Sequence, residues 1–333
     1  MASRRGDARP GRKRVELAPG TAVLPRGAEG VQIGADPDHH LVLTGLTAPQ
    51  RAWLLRAARA AVPPQPGATD FPRAARVDAP PPGSDHLVAL IGAAGLLAAG
   101  PEPHARPPSV RIDGLDGVTA PAAVLLARSG VRSFDLVDPR RVDLSMRGTL
   151  PTAMFALPRP RAVRDLLASV DAQTLCGRLP APDVVVVSRP RRLDDAVAGM
   201  LLVEDRRHLL VVQHERSVVV GPLVRPGITA CAQCLDLRLA DADPSWPMLT
   251  RQMGDWPLPA PPAAAAHVAA LEVARCVLAR GAGPETGSSA LGPALGGDPG
   301  RTRAHIDPSG RVRFEAVSPH PRCGCGAAGR PFA

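Results

Sequence analysis

The chain has no tyrosine, and only three tryptophans and five phenylalanines in 333 residues. Proteins that stack single-stranded nucleic acid need exposed aromatic faces, so that class is excluded. Lysine is also nearly absent: Lys13 is the only one, and the other cations are arginines scattered along the chain. A net charge of +9 spread in this way forms no basic block of the kind that tracks a phosphate backbone, and no nucleic-acid partner is expected. No apolar run approaches the ~18 residues that span a bilayer. The longest, "HLVALIGAAGLLAAG" from His86, is too short, so no membrane association is expected. The first residues, "MASRRGDARPGRKRVELAPG", are basic without an apolar core behind them. They read as a disordered tail rather than a signal peptide, which suits a cytoplasmic protein.

With 45% hydrophobic and 21% charged residues, the composition is that of a folded globular protein. Residues 1–20 read as the basic tail and 21–100 as a small N-terminal α+β accessory domain of winged-helix type. Within it, Val31–Gly34 and Leu41–Thr44 read as strands, and Thr47 as the N-cap of a helix carrying Leu54 and Leu55. The proline-rich "PPQPGATDFPRAARVDAPPPGSD" reads as a loop, "HLVALIGAAGLLAAG" as a helix, and 101–108 as a linker.

From 109 to 333 strands and helices alternate. "VRIDG", "SFDLVD", "DVVVVS", "HLLVVQHE" and "SVVVGPLV" have strand character; "TAPAAVLLARSG", "PRAVRDLLASV" and "AAAAHVAALEVARCVLARG" have helix character; "AHIDPSGRVRFEAV" reads as a terminal hairpin. The pattern predicts an α/β fold, a Rossmann-like doubly wound sheet. "GPETGSSALGPALGGDPGRTR" reads as an exposed loop.

Six cysteines occur in a chain with no signal peptide, a setting that favours metal over disulfides. Cys231 and Cys234 form a C-x-x-C knuckle; Cys323 and Cys325 form a C-x-C knuckle followed by Gly326. Two such knuckles can close a four-thiolate zinc site with no open position, a staple pinning the terminal hairpin. Unrelated free thiols and a redox C-x-x-C are the other readings. Cys276 reads as a core residue and Cys176 as a loop thiol with no base beside it. The histidines are dispersed, His320 reads as a loop residue, and neither Ser129 nor Ser188 has a G-x-S-x-G setting for a hydrolase triad. Arg189–Arg192, "RPRR", is a basic patch able to hold a carboxylate or phosphate; Trp246 and Trp256 read as packing anchors.

A strand, a turn with Gly114 and Gly117, a helix, and a second strand ending at Asp138 follow the order of a nucleotide-binding βαβ unit. Taken with the cysteines, "GLDGVTAPAAVLLARSGVRSFDLVDPRRVDLS", "GPLVRPGITACAQC" and "HPRCGC" resemble the ThiF/MoeB/HesA family, relatives of the ubiquitin-activating enzymes. The resemblance runs from about Ser109 to Gly326. It implies ATP- and Mg2+-dependent adenylation of the C-terminal carboxylate of a peptide or small protein by a homodimer with a structural zinc. By the same resemblance Gly114 and Gly117 cradle ATP, Asp138 holds the ribose, and Arg161 and Arg147 stabilise the phosphates. The turn departs from the family's G-x-G-G-x-G: Asp116 and Thr119 stand at glycine positions, and Arg140 stands where a second acid is expected. A carboxylate near a triphosphate repels it. The second functional reading is therefore an inactive, zinc-stapled scaffold that binds a leader peptide or a partner enzyme.

Overall fold

The computed structural model describes residues 15–18, 20–60, 76–77, 79–97, 107–253, 258–279 and 297–329. The chain divides into two compact units, Met1–Ala105 and Arg106–Ala333.

In the first unit, β1 (Val15–Glu16) pairs antiparallel with β5 (Arg76–Val77), and β2 (Val23–Arg26), β3 (Gly30–Ile33) and β4 (Leu41–Leu43) form an antiparallel meander. Helix α1 (Ala48–Ala60) starts on a reciprocal cap: the Thr47 amide donates to Gln50 Oε1, and the Gln50 amide to Thr47 Oγ1. It buries Trp53 and Leu54 against Val31, Ile33, Leu87 and Ile91. Helix α2 (Asp85–Ala93) is shorter than "HLVALIGAAGLLAAG" suggests, because the chain turns at Gly95 and Leu97 bridges back to Leu17. The basic tail expected over 1–20 thus reaches too far, since Val15 and Leu17 are buried. The expected proline-rich loop likewise contains β5, and its residues 79–84 form the turn that leads into α2; residues 63–75 and 78, with the linker residues 101–106, lie outside the described residues.

The second unit is built on an eight-stranded sheet in the order β13-β12-β11-β10-β9-β6-β7-β8. Its strands are β6 (Val110–Asp113), β7 (Ser133–Val137), β8 (Leu175–Cys176), β9 (Val184–Pro190), β10 (His208–Gln213), β11 (Val218–Val224), β12 (Thr302–Ile306) and β13 (Val312–Ala316). Strands β6 to β10 pair in parallel and β10 to β13 antiparallel. The helices are α3 (Thr119–Arg128), α4 (Arg159–Val170), α5 (Asp195–Val203), α6 (Ala232–Ala242), α7 (Trp246–Gln252) and α8 (Ala263–Leu278).

Burial on both faces explains the unbroken apolar strands. Val184 and Val186 join a core with residues of α3, α4 and α8, whereas Val185 and Val187 join another with residues of α5, α6 and the cysteine cluster. After β6 the chain builds β7 and β8 on one side and then returns to lay β9 on the other. That reversal between β6 and β9, at the carboxyl ends of the strands, is where sheets of this kind open a ligand crevice.

Candidate functional site

Gly114 ends β6 with φ +96°, and a Cβ there would lie 2.3 Å from the Ser188 carbonyl oxygen on β9. Only glycine lets the two strand ends approach so closely. Gly117 is under no such constraint, since a Cβ there would meet nothing nearer than 3.5 Å.

Between them, Asp116 is turned inward and buried. Its Oδ1 accepts from the amides of Val118 (2.8 Å) and Thr119 (3.0 Å), and its Oδ2 from the Ser188 hydroxyl at 2.6 Å. In return, the Asp116 amide donates to Thr119 Oγ1, whose own hydrogen bonds to the Gly114 carbonyl. This is a D-x-x-T capping box. It places a carboxylate at the N-terminus of α3, where amides and the helix dipole would otherwise receive a phosphate. The Asp116–Ser188 bond joins the α3 turn to the end of β9, across the strand-order reversal. We expect Asp116→Ala to cost about 2 kcal/mol of stability, from the lost cap and an orphaned Ser188 hydroxyl. Urea unfolding measures it, and a loss below about 0.5 kcal/mol would contradict this role for the carboxylate.

Asp138 at the end of β7 is equally occupied. Arg140 Nε and Nη2 grip its two oxygens at 3.0 and 2.8 Å, and the amides of Arg140 and Leu115 each donate at 2.8 Å. Burial alone would raise its pKa, but these donors outweigh burial and hold it below the usual carboxylate value of 3.8. For Asp143, burial is likewise outweighed, by the Ser145 donors and Arg159, and its pKa is also lowered. The stability these two groups contribute is present in full above 3.8 and is lost as pH falls below it.

The cation that organises this corner is Arg159, two residues before the arginine to which the family resemblance points. Its side chain is 1% exposed. It donates to the carbonyls of Leu115 (2.7 Å) and Arg141 (3.0 Å), to both oxygens of Asp143 (3.1 Å) and to Ser145 Oγ (3.0 Å), with Asp138 Oδ2 at 3.8 Å. Arg161, two residues on, is 66% exposed and faces Asp165 on the same helix. Arg147 is exposed at a cavity of about 70 Å³ that it lines with Gly117, Ser145 and His267. Small-molecule pockets commonly run to 300–1,000 Å³. The structure thus gathers Gly114, Gly117 and Asp138 at one turn, with Arg147 at its margin, and leaves Arg161 on the helix surface.

The "RPRR" patch is internally paired. Arg189 bonds Asp113, Arg191 bonds Glu215, and Arg192 bonds Asp195 and Asp236. Trp246 Nε1 donates to the same Asp236. Trp256 lies outside the described residues.

The four cysteines converge. Cys231 caps α6, Cys234 sits on its first turn, and Cys323 and Cys325 come from the chain after β13, where Gly326 turns at φ +78°. All four sulfurs lie within 4.8 Å of one another, with separations of 3.8, 3.6 and 3.6 Å along the chain of contacts. Tetrahedral Zn–S bonds of 2.3 Å require sulfurs about 3.8 Å apart, so the donor set and its spacing fit a metal ion. Thiols this crowded share their ionisation. The Cys231 thiol donates to Cys234 and draws it down to about 4, whereas burial pushes Cys323 up to about 11. His320 is a brace rather than a ligand: its Nε2 bonds Asp241 at 2.8 Å, and its Nδ1 accepts from the Arg322 amide. Cys276 is buried, its thiol raised by burial beyond any nucleophilic range.

The sequence matches no described protein family and no curated protein. The fold matches solved structures. Escherichia coli MccB superposes with a TM-score of 0.61 at 14% identity, over 96% of this chain and 98% of that one. MccB with AMPCPP and MccA gives 0.60 at 14% identity, over 95% and 100%. The microcin C7 biosynthetic enzyme MccB with N-formylated MccA gives 0.59 at 14% identity, over 94% and 100%.

Proposed function

We propose that this chain, which carries the ThiF/MoeB-type fold of MccB, is a peptide-binding scaffold whose nucleotide crevice is filled from within. The observation that supports this reading is the Asp116 carboxylate on the α3 N-terminus, bonded to two helix amides and to Ser188. A triphosphate would meet that charge in the position it needs. At an effective dielectric near 20, a like charge ~4 Å away costs several kcal/mol. A ribose, in turn, would have to displace Arg140 from Asp138. The partner class is a leader peptide or small protein, by analogy with the MccA held by MccB, or a partner enzyme that acts on it. The N-terminal unit acts as the clamp. It offers a cavity of about 510 Å³ with Leu46 and Leu55 on its walls and Arg51, Arg56 and Glu29 among its polar groups. Structural zinc occupies the four cysteines, and a cytoplasmic setting keeps such thiols reduced.

The second reading, ATP- and Mg2+-dependent adenylation of a C-terminal carboxylate with Arg147 and Arg161 at the phosphates, is favoured by the shared fold and by MccB having been solved with ATP. Calorimetric titration of the metal-loaded protein with Mg-ATP separates the two. We expect no binding up to millimolar nucleotide. Micromolar binding, with pyrophosphate exchange on adding a C-terminal peptide, would restore the adenylation reading.

A further inference from the structure

Helix α1 divides its surface by the helical period. One face, Gln50, Trp53 and Leu54, is buried. The opposite stripe, Ala48, Arg51, Ala52, Leu55 and Arg56, is spaced i, i+3, i+4, i+7 and i+8, and it lines the cavity of about 510 Å³ with Glu29 of the β2–β3 turn. Successive helical residues turn by about 100°. Ala48, Ala52 and Leu55 therefore form a central apolar floor, with Arg51 along one border and Arg56 along the other. The two alanines leave the room, and the volume is that of cavities that take small ligands.

The cations bordering this floor are not spent on acids. In the second unit Arg189, Arg191 and Arg192 each hold a carboxylate. Among the described residues, Arg51 and Arg56 pair with none. Of the guanidinium donors of Arg51, the described residues engage only Nη2, which reaches the Gly27 carbonyl at 3.4 Å, and its Nε is buried with no partner. Buried donors are normally satisfied, and a charged one left unmade is costly. Glu29 is the only acid on the lining, so the two arginines leave an excess of positive charge. A purely apolar ligand would leave these cations unpaired, and a bare anion would leave the floor uncovered. The occupant that satisfies both carries an aliphatic group and a carboxylate.

We propose that this cavity recognises a leader peptide by an aliphatic residue and an acidic residue two positions apart. The proposal rests on the peptide-binding reading above and supplies its specificity. In an extended chain, residues i and i+2 share one face and lie about 7 Å apart. Leu55 and Arg51 lie about one turn apart on α1, some 6 Å along its axis. The aliphatic side chain covers the floor at Leu55, and the carboxylate accepts from the Arg51 guanidinium, with Arg56 as the flanking cation. A lysine or arginine in place of the acid meets two like charges, so the same groups that select also reject.

Chemical-shift titration of the full-length, metal-loaded, nitrogen-15-labelled protein tests it, with three probes: the blocked tripeptides acetyl-Leu-Ala-Asp amide, acetyl-Leu-Ala-Asn amide and acetyl-Leu-Ala-Lys amide. The aspartyl probe is expected to shift the amides of residues 27–30 and 46–56, and to bind at least about fivefold more tightly than the asparaginyl one. The lysyl probe is expected to bind most weakly. Arg51→Met should erase the preference for aspartate over asparagine, and so should Arg56→Glu. Equal affinities for the aspartyl and asparaginyl probes overturn the proposal and leave the peptide-binding reading standing, as do shifts confined to other parts of the first unit. If no probe shifts any amide of the first unit at about 10 mM, the clamp falls and this inference with it. Should Arg51→Met disturb the β2–β3 turn that its side chain bonds, the exposed Arg56 still decides: a preference that Arg56→Glu leaves unchanged overturns the proposal.

Discussion

Cys323→Ser is expected to release the metal and to lower the melting temperature of the second unit by roughly 10 °C, equivalent to about 3 kcal/mol or more. Three remaining thiolates leave a tetrahedral ion one ligand short. The residues after β13 are tied to α6 through this cluster, through the Asp241 contacts with His320 and Arg322, and through Arg238, which donates to Ser318 and the Pro319 carbonyl. Losing the ion therefore loosens the C-terminal knuckle at its tip, where Cys323 is buried in the same core as Val317, and leaves the Arg238 and Asp241 contacts to hold its base. Metal content by mass spectrometry and melting by calorimetry should move together. Cys176→Ser, at a half-buried thiol on β8, serves as the control that keeps the metal. A Cys323→Ser protein retaining one ion per chain and its melting temperature would show that the four sulfurs are merely neighbours.

Arg159→Met should be the most damaging single change in the crevice, at about 3–5 kcal/mol. The substitution keeps much of the apolar stem but strands the carbonyls of Leu115 and Arg141, and it withdraws the guanidinium from Asp143 and Asp138. Leu115 belongs to the same turn as Asp116, so the cap on α3 should loosen as well. Arg161→Met, by contrast, alters an exposed side chain within one helix and should cost less than about 0.5 kcal/mol. Denaturant unfolding of the two variants side by side is the measurement. Equal losses, or a larger one at Arg161, would show that the buried guanidinium does not hold this corner together.

The contrast between Arg159 and Arg161 marks where the sequence was legible and where it was not. Helix α4 buries Arg159, Ala162, Val163 and Leu167, spaced i, i+3, i+4 and i+8. That period assigns Arg159 to the inner face and turns Arg161, two residues on, away from it. Family correspondence pointed to Arg161; periodicity alone would have pointed to its neighbour. At Asp116 the departure from glycine is visible in the sequence, and its charge alone predicts a repulsion. The helpful half of its role was written in the D-x-x-T spacing with Thr119, a capping signature that needs no ligand.

The four cysteines and the alternation of apolar strands with helices were readable because each depends on short-range spacing. Strands β1, β5 and β8 were not, because two residues carry no period and their pairing is set by distant partners. Helix α6 was hidden inside the C-x-x-C motif, whose first cysteine is its cap.

A helix that carries its own counter-anion has a different relation to its surroundings from one that borrows it. Proteins that recruit a phosphate gain stability in proportion to the logarithm of its concentration, and they loosen when the supply falls. With Asp116 already seated on α3, the concentration of anion at that helix is set by covalent connectivity. On the scaffold reading proposed above, stability of this crevice should thus be the same in a starved cell as in a fed one, and the protein would keep its shape through swings in the cell's energy charge.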